Sequence, residues 1–214
     1  THDQMAPTSV KVTLLGYCEA QRNLMTTYAS PEFTVLVPPG DMLLSCSLTS
    51  SYDSFQELRR LSYDRDSDVV VVFYDATSVA SMQQVAQKWM VEAQLYMPYV
   101  PVLLVCALLP SATGAIDTLS GGLPALACQI GASGFHFLDL SGNLRHDAGR
   151  TIKNDASELF LKVARLAQLS EQVPADAKKS YRAHFDGESA APILYGTLAS
   201  TPYPARVLPL TRML

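Results

Sequence analysis

The chain is poor in the residues that staple or metallate small folds: it has 4 cysteines and 4 histidines in 214 residues. Cys18, Cys46, Cys106 and Cys128 are too far apart to form a C-x-x-C pair. That spacing speaks against a disulfide framework and a structural zinc site, and it fits a reducing, cytoplasmic setting. Positive charge is also scarce, with 16 Lys and Arg against 20 Asp and Glu and a formal net charge of −4. A general nucleic-acid binder would need a basic face, so no nucleic-acid partner is expected. Long hydrophobic runs are missing too. The longest, Val69–Tyr74 and Val100–Leu109, are too short to span a bilayer and suit buried strands. The opening THDQMAPTSVK lacks the basic flank and apolar stretch of a targeting signal. Met5 reads as a natural start, with Thr1–Gln4 either a remnant or an upstream extension ahead of it.

What is present is core-forming material. Hydrophobic residues make up 48% and charged residues 17%, which excludes disorder throughout. The length suits one α/β domain with a full core.

Short apolar runs alternate with helical periods. Val10–Leu15 predicts a strand that meets a turn at Gly16, and Ala20–Tyr28 a helix with Leu24 and Tyr28 on one face. Phe33–Val37 and Met42–Leu48 read as strands separated by Pro38-Pro39-Gly40, and Phe55–Leu61 as one or two helical turns. Val69–Tyr74 is apolar on both faces, which implies a parallel sheet covered by helices. Over Ser78–Tyr96 the residues Val79, Met82, Val85, Ala86, Trp89, Met90 and Ala93 recur at three and four, predicting one apolar helix face with Trp89 in the core. Strands are expected at Val102–Cys106 and Phe135–Leu140, with a Gly, Ser and Pro-rich loop over Pro110–Pro124 and a short helix over Ala125–Ile130. Asp155 and Glu158 have capping-box spacing and predict the start of a helix whose inner face is Ala156, Leu159, Phe160, Val163, Leu166 and Ala167.

This alternation predicts an α/β three-layer sandwich with a mostly parallel sheet of about five strands. The expected organisation is an N-terminal extension over 1–9, a domain over 10–170 and a C-terminal tail over 171–214. The tail combines Pro192, Pro202, Pro204 and Pro209 with Ile193, Leu194, Tyr195, Leu198, Tyr203, Val207, Leu208 and Leu210. Its prolines forbid a continuous helix, and its apolar content predicts an extended segment packed on its own domain or on a partner.

Several segments in order resemble Rho-type small GTPases of the Ras superfamily. Leu58–Asp75 (LRRLSYDRDSDVVVVFYD) resembles the family's L-R-P-L-S-Y helix and T-D-V strand. Ser78–Met82, Lys88-Trp89 and Pro98–Val105 match the spacings of S-P-x-S, K-W, C-P-x-x-P and I-L-V. Gly131–Phe135 (GASGF) resembles G-A-x-G-Y before the last strand. With Val10 and Gly16 included, the resemblance covers about Val10–Gln168 and is strongest over Leu58–Val105. It implies a P-loop small-GTPase-like fold and a nucleotide site built from five short motifs.

The chain departs from all five. The phosphate loop G-x-x-x-x-G-K-[ST] appears as GYCEAQRN, with Gly16 kept and Gln21, Arg22 and Asn23 replacing glycine, lysine and hydroxyl. A side chain at Gln21 collides where backbone must wrap a phosphate. Arg22 keeps charge in a larger planar fork and reads as a surface residue pairing with Glu19. The magnesium motif D-x-x-G falls on Leu48-Thr49-Ser50-Ser51, so Leu48 and Ser51 replace aspartate and glycine, and Tyr52 stands for the catalytic glutamine. The effector segment Tyr28–Asp41 is short, implying a shortened switch and hairpin region. The base-reading motif [NT]-K-x-D is Ala107-Leu108-Leu109-Pro110, where Leu108 and Pro110 cannot bond a guanine edge. S-A-K becomes Asp139-Leu140-Ser141.

The resemblance and these losses together predict a pseudo-GTPase: a protein-interaction or scaffold module, not an enzyme, with no cofactor and no metal. Tyr52, Phe55, Leu58, Leu61, Tyr195 and Tyr203 are the candidate contacts for a protein partner. One alternative is a divergent Rho-family GTPase with residual GTP or GDP and magnesium binding in signalling. Another is an enzyme using the cleft near Gly16, Arg22 and Asp139 for an unrelated ligand. No prenylated cysteine motif ends the chain, and Arg206 and Arg212 are too few for a polybasic flank, so no lipid anchor is expected. His136 reads as a core or rim residue, and Asp64, Asp66 and Asp68 as a solvated turn lacking the Gly and Glu of a calcium loop.

Overall fold

A computed structural model describes residues 8–28, 32–37, 40–49, 63, 67–110, 122–141 and 152–170. The chain order is β1 (Thr8–Gly16), α1 (Cys18–Tyr28), β2 (Glu32–Val37), β3 (Gly40–Leu48), β4 (Val69–Asp75), α2 (Val79–Gln84, Val85–Trp89 and Met90–Tyr96 in succession), β5 (Val102–Leu108), α3 (Leu123–Gln129), β6 (Gly134–Asp139) and α4 (Ile152–Ser170).

The sheet has six strands in the order β2-β3-β1-β4-β5-β6, one at each of the six runs read as strands. Five are parallel, and β2 is the antiparallel edge strand, its Val37 opposite Gly40 across the Pro38-Pro39 break. The central strands are apolar on alternate faces in both directions, so each face of the sheet needs a helical cover. On one face Val12, Leu14, Val71 and Phe73 pack with Ala20 and Leu24 of α1 and with Phe160 and Val163 of α4. On the other, Val70, Val72, Leu104 and Cys106 pack with Val85, Trp89 and Met90 of α2 and with Leu123 and Ala127 of α3. The result is an α/β three-layer sandwich.

The predicted inner face of α4 is buried at every position. Its start is different: α4 opens at Ile152, so Asp155 lies inside the helix and is not its N-cap. The predicted stripe on α2 also needs correction. Val79 is 53% exposed and Ala86 is exposed, whereas Val85, Trp89, Met90 and Ala93 are buried. A π-helical turn also lies over Val85–Trp89, in which Met90 N–H donates to Val85 O five residues back. A wide turn adds a residue to the repeat, so positions before and after it do not share one 3.6-residue phase. Ser78 caps the helix by accepting from Ser81 N–H at 3.2 Å. Lys88 lies over the buried Trp89 ring at 4.2 Å.

The segment leading into β4 is pinned to β1. Asp68 takes Lys11 N–H at 2.9 Å, and Thr13 and Ser67 share a buried hydroxyl bond of 2.5 Å. Asp68 is therefore a structural acceptor, and Asp64 and Asp66 lie outside the described residues. Tyr63 is buried on the α2 side, donates to Glu92 at 2.6 Å and stacks on Tyr96. Phe55–Leu61 and the tail over 171–214 also lie outside the described residues.

Candidate functional site

Sheets of this kind hold ligands at the carboxyl ends of the strands, where the strand order reverses. Here that point is the junction of β1 with β4 and the start of α1. Only Tyr17 separates β1 from α1. The helix begins at Cys18, two residues ahead of the predicted Ala20, because Glu19, Ala20, Gln21, Arg22, Leu24 and Met25 are all good helix formers. Glu19 in the first turn also suits the positive end of the helix dipole.

The eight residues Gly16–Asn23, set against the phosphate-loop pattern, are thus one strand end, one linking residue and a helical turn and a half. Gly16 has φ +91 and Tyr17 N–H donates to Phe73 O at 3.0 Å. The Gln21 N–H, at the place of the second glycine, donates to Tyr17 O at 3.3 Å, so it does not face the crevice as a free donor. The Gln21 side chain is buried. Arg22 is exposed, as expected, but Glu19 is not its partner: the Glu19 carboxylate accepts the Tyr17 hydroxyl at 3.1 Å. Asn23 turns back along the helix and donates from Nδ2 to Glu19 O at 2.9 Å.

The electrostatics of the junction are acidic. Burial, the nearby Asp75 carboxylate and Glu19 push the Tyr17 phenol up to about 12. A polyphosphate placed here would meet two carboxylates, with like charge raising its cost. The neighbouring strand ends are closed by their own hydrogen bonds. Thr49 Oγ1 donates to Leu14 O at 2.6 Å, and Cys18 Sγ donates to Thr49 O at 3.4 Å. Asp75 Oδ1 accepts Thr77 N–H and Oγ1–H, both at 2.8 Å. At the end of β6, Asp139 Oδ1 accepts Ser141 N–H at 2.8 Å and Oγ–H at 2.6 Å. Each carboxylate holds a tight turn of its own strand end.

The other predicted positions divide three ways. Leu48 is 44% exposed at the end of β3. Leu108 is buried, because β5 runs on to Leu108 past the predicted end at Cys106, and Pro110 is exposed just beyond. Ser51, Tyr52, Phe55, Leu58, Leu61, Tyr195 and Tyr203 lie outside the described residues. The structure does not bring Gly16 and Asp139 together: they end β1 and β6, three strands apart, or about 14 Å. His136 is buried, as expected, with Lys162 Nζ 3.3 Å from Nδ1.

Tyr17, Thr49 and Asp75 were not singled out by motif. Asp75 could have been, because it is the first acidic residue after the buried run VVVVFY and so falls at a carboxyl strand end. No protein-family model matches this chain. Among the described residues no helix is long and apolar enough to cross a membrane.

Proposed function

We propose that this chain is a pseudo-GTPase: a nucleotide-independent interaction or scaffold module on a Rho-type, P-loop small-GTPase-like fold. The order β2-β3-β1-β4-β5-β6 with one antiparallel edge strand supports the fold reading. So do the motif resemblances that run through β4, α2 and β5. The single observation that carries the functional reading is the junction of β1 and α1. A phosphate cradle needs several loop residues whose N–H groups turn toward the anion. Here one residue makes the connection, the helix consumes the Gln21 N–H, and Glu19 and Asp75 flank the place. A fold of this class that cannot seat nucleotide acts through its surfaces. The four cysteines are free thiols, which supports a cytoplasmic setting.

The test is a titration of the purified chain with fluorescent GTP and GDP in magnesium, with mass spectrometry of any small molecule released on denaturation. No saturable binding in the micromolar range and no co-purifying guanine nucleotide are expected. Saturable binding at micromolar concentration would overturn the reading in favour of a divergent GTPase. A protein partner recovered with the full chain should also stay bound in EDTA and be indifferent to added GTP or GDP.

A further inference from the structure

Gln21 is 1% exposed, and neither Nε2 nor Oε1 has a hydrogen-bond partner among the described residues. It lies one residue after Ala20 and three before Leu24, both fully buried on the inner face of α1. Cα–Cβ bonds in a helix lean toward its N-terminus, which directs this side chain toward the first turn of α1. A glutamine amide has two donor hydrogens and a two-lone-pair acceptor. Buried groups of this kind are almost always satisfied, by protein or by internal water. The two atoms together ask for a partner that both donates and accepts and is small enough for a closed interior. Water meets all three conditions, whereas an anion would satisfy only Nε2.

We propose that the Gln21 carboxamide seats an internal water beneath the first turn of α1. The site is neutral, since a carboxamide carries no charge. The inference stands on the burial and bonding of Gln21 alone and holds whichever reading of the fold's function is right.

The test is solution NMR of the full chain, reading magnetisation transfer between water and the Gln21 Hε2 protons, with Gln21→Met as the control. The expected result is transfer from a water resident for nanoseconds or longer. That transfer should disappear in Gln21→Met while the remaining backbone spectrum stays that of the wild type. Gln21 side-chain protons that contact only protein groups would overturn the proposal. So would protons that exchange with bulk solvent as fast as those of an exposed glutamine. The wild-type spectrum decides the matter even if the variant does not fold.

Discussion

Gly16 and Phe73 meet so closely that a Cβ on Gly16 would run into the Phe73 carbonyl oxygen. The same oxygen accepts Tyr17 N–H at 3.0 Å. One carbonyl of β4 thus sets both the left-handed turn of Gly16 and the direction in which the chain leaves β1. The exit leads through Tyr17 directly into α1.

Gly16→Ala should therefore be strongly destabilising. The variant adds a backbone clash to a φ of +91 that L side chains rarely adopt. Together these cost about 2–5 kcal/mol. Urea unfolding followed by circular dichroism measures it. A loss below about 0.5 kcal/mol would mean the junction is not built this way.

Tyr63 anchors the segment before β4 to α2 through one buried phenol. Tyr63→Phe keeps the stack on Tyr96 but removes the 2.6 Å bond to Glu92. Removing one partner of a buried hydrogen bond costs about 1–3 kcal/mol. The variant should lose that much in urea unfolding, and a loss below about 0.5 kcal/mol would contradict an anchor made by the phenol.

The thiols should separate by access. Cys128 is exposed and Cys18 half-buried, whereas Cys46 and Cys106 are buried. Burial pushes the Cys46 thiol up to about 12, and burial foremost, with Asp75 adding, raises Cys106 to about 11. Iodoacetamide at pH 8 should alkylate Cys128 first in the native protein and reach Cys46 and Cys106 only after denaturation, as read by peptide mass spectrometry. Native labelling of Cys46 at the rate of Cys128 would show that β3 is not covered by α1 and α4.

Stability should fall at alkaline pH. Cys46, Cys106 and Tyr17 all hold their protons more tightly folded than unfolded, and Tyr74 is raised by burial as well. Above about pH 9 the unfolded chain binds fewer protons than the native one, so unfolding is favoured as pH rises. The contribution is fully present below that pH and is lost as pH rises through about 11 to 12. Urea midpoints should be level between pH 7 and 8.5 and drop by pH 10.5, with a shallower drop in Cys46→Ala. A midpoint unchanged from pH 8.5 to 10.5 would refute the burial of these groups.

Much of this architecture was written in local pattern. The runs Val69–Tyr74 and Val102–Cys106 are apolar on both faces, which by itself calls for a covered parallel sheet, and the stripe Ala156 to Ala167 specifies the buried side of α4. The changed motif residues at Gln21, Arg22 and Asn23 could likewise be read directly. Hydrophobic periodicity reports which side chains leave water, and it is strong wherever burial alone decides an element.

Tertiary structure decided the rest. It placed the antiparallel β2 at the sheet's edge. It started α4 at Ile152 and widened α2 into a π-helical turn over Val85–Trp89. It also joined pairs far apart in sequence: Gly16 with Phe73, Tyr63 with Glu92 and Thr49 with Leu14. A helix start or a wide turn differs from its alternatives by only a kilocalorie or so of local propensity, on the order of 1 kcal/mol. A backbone carbonyl in the way, or a buried hydroxyl in need of an acceptor, outweighs that margin.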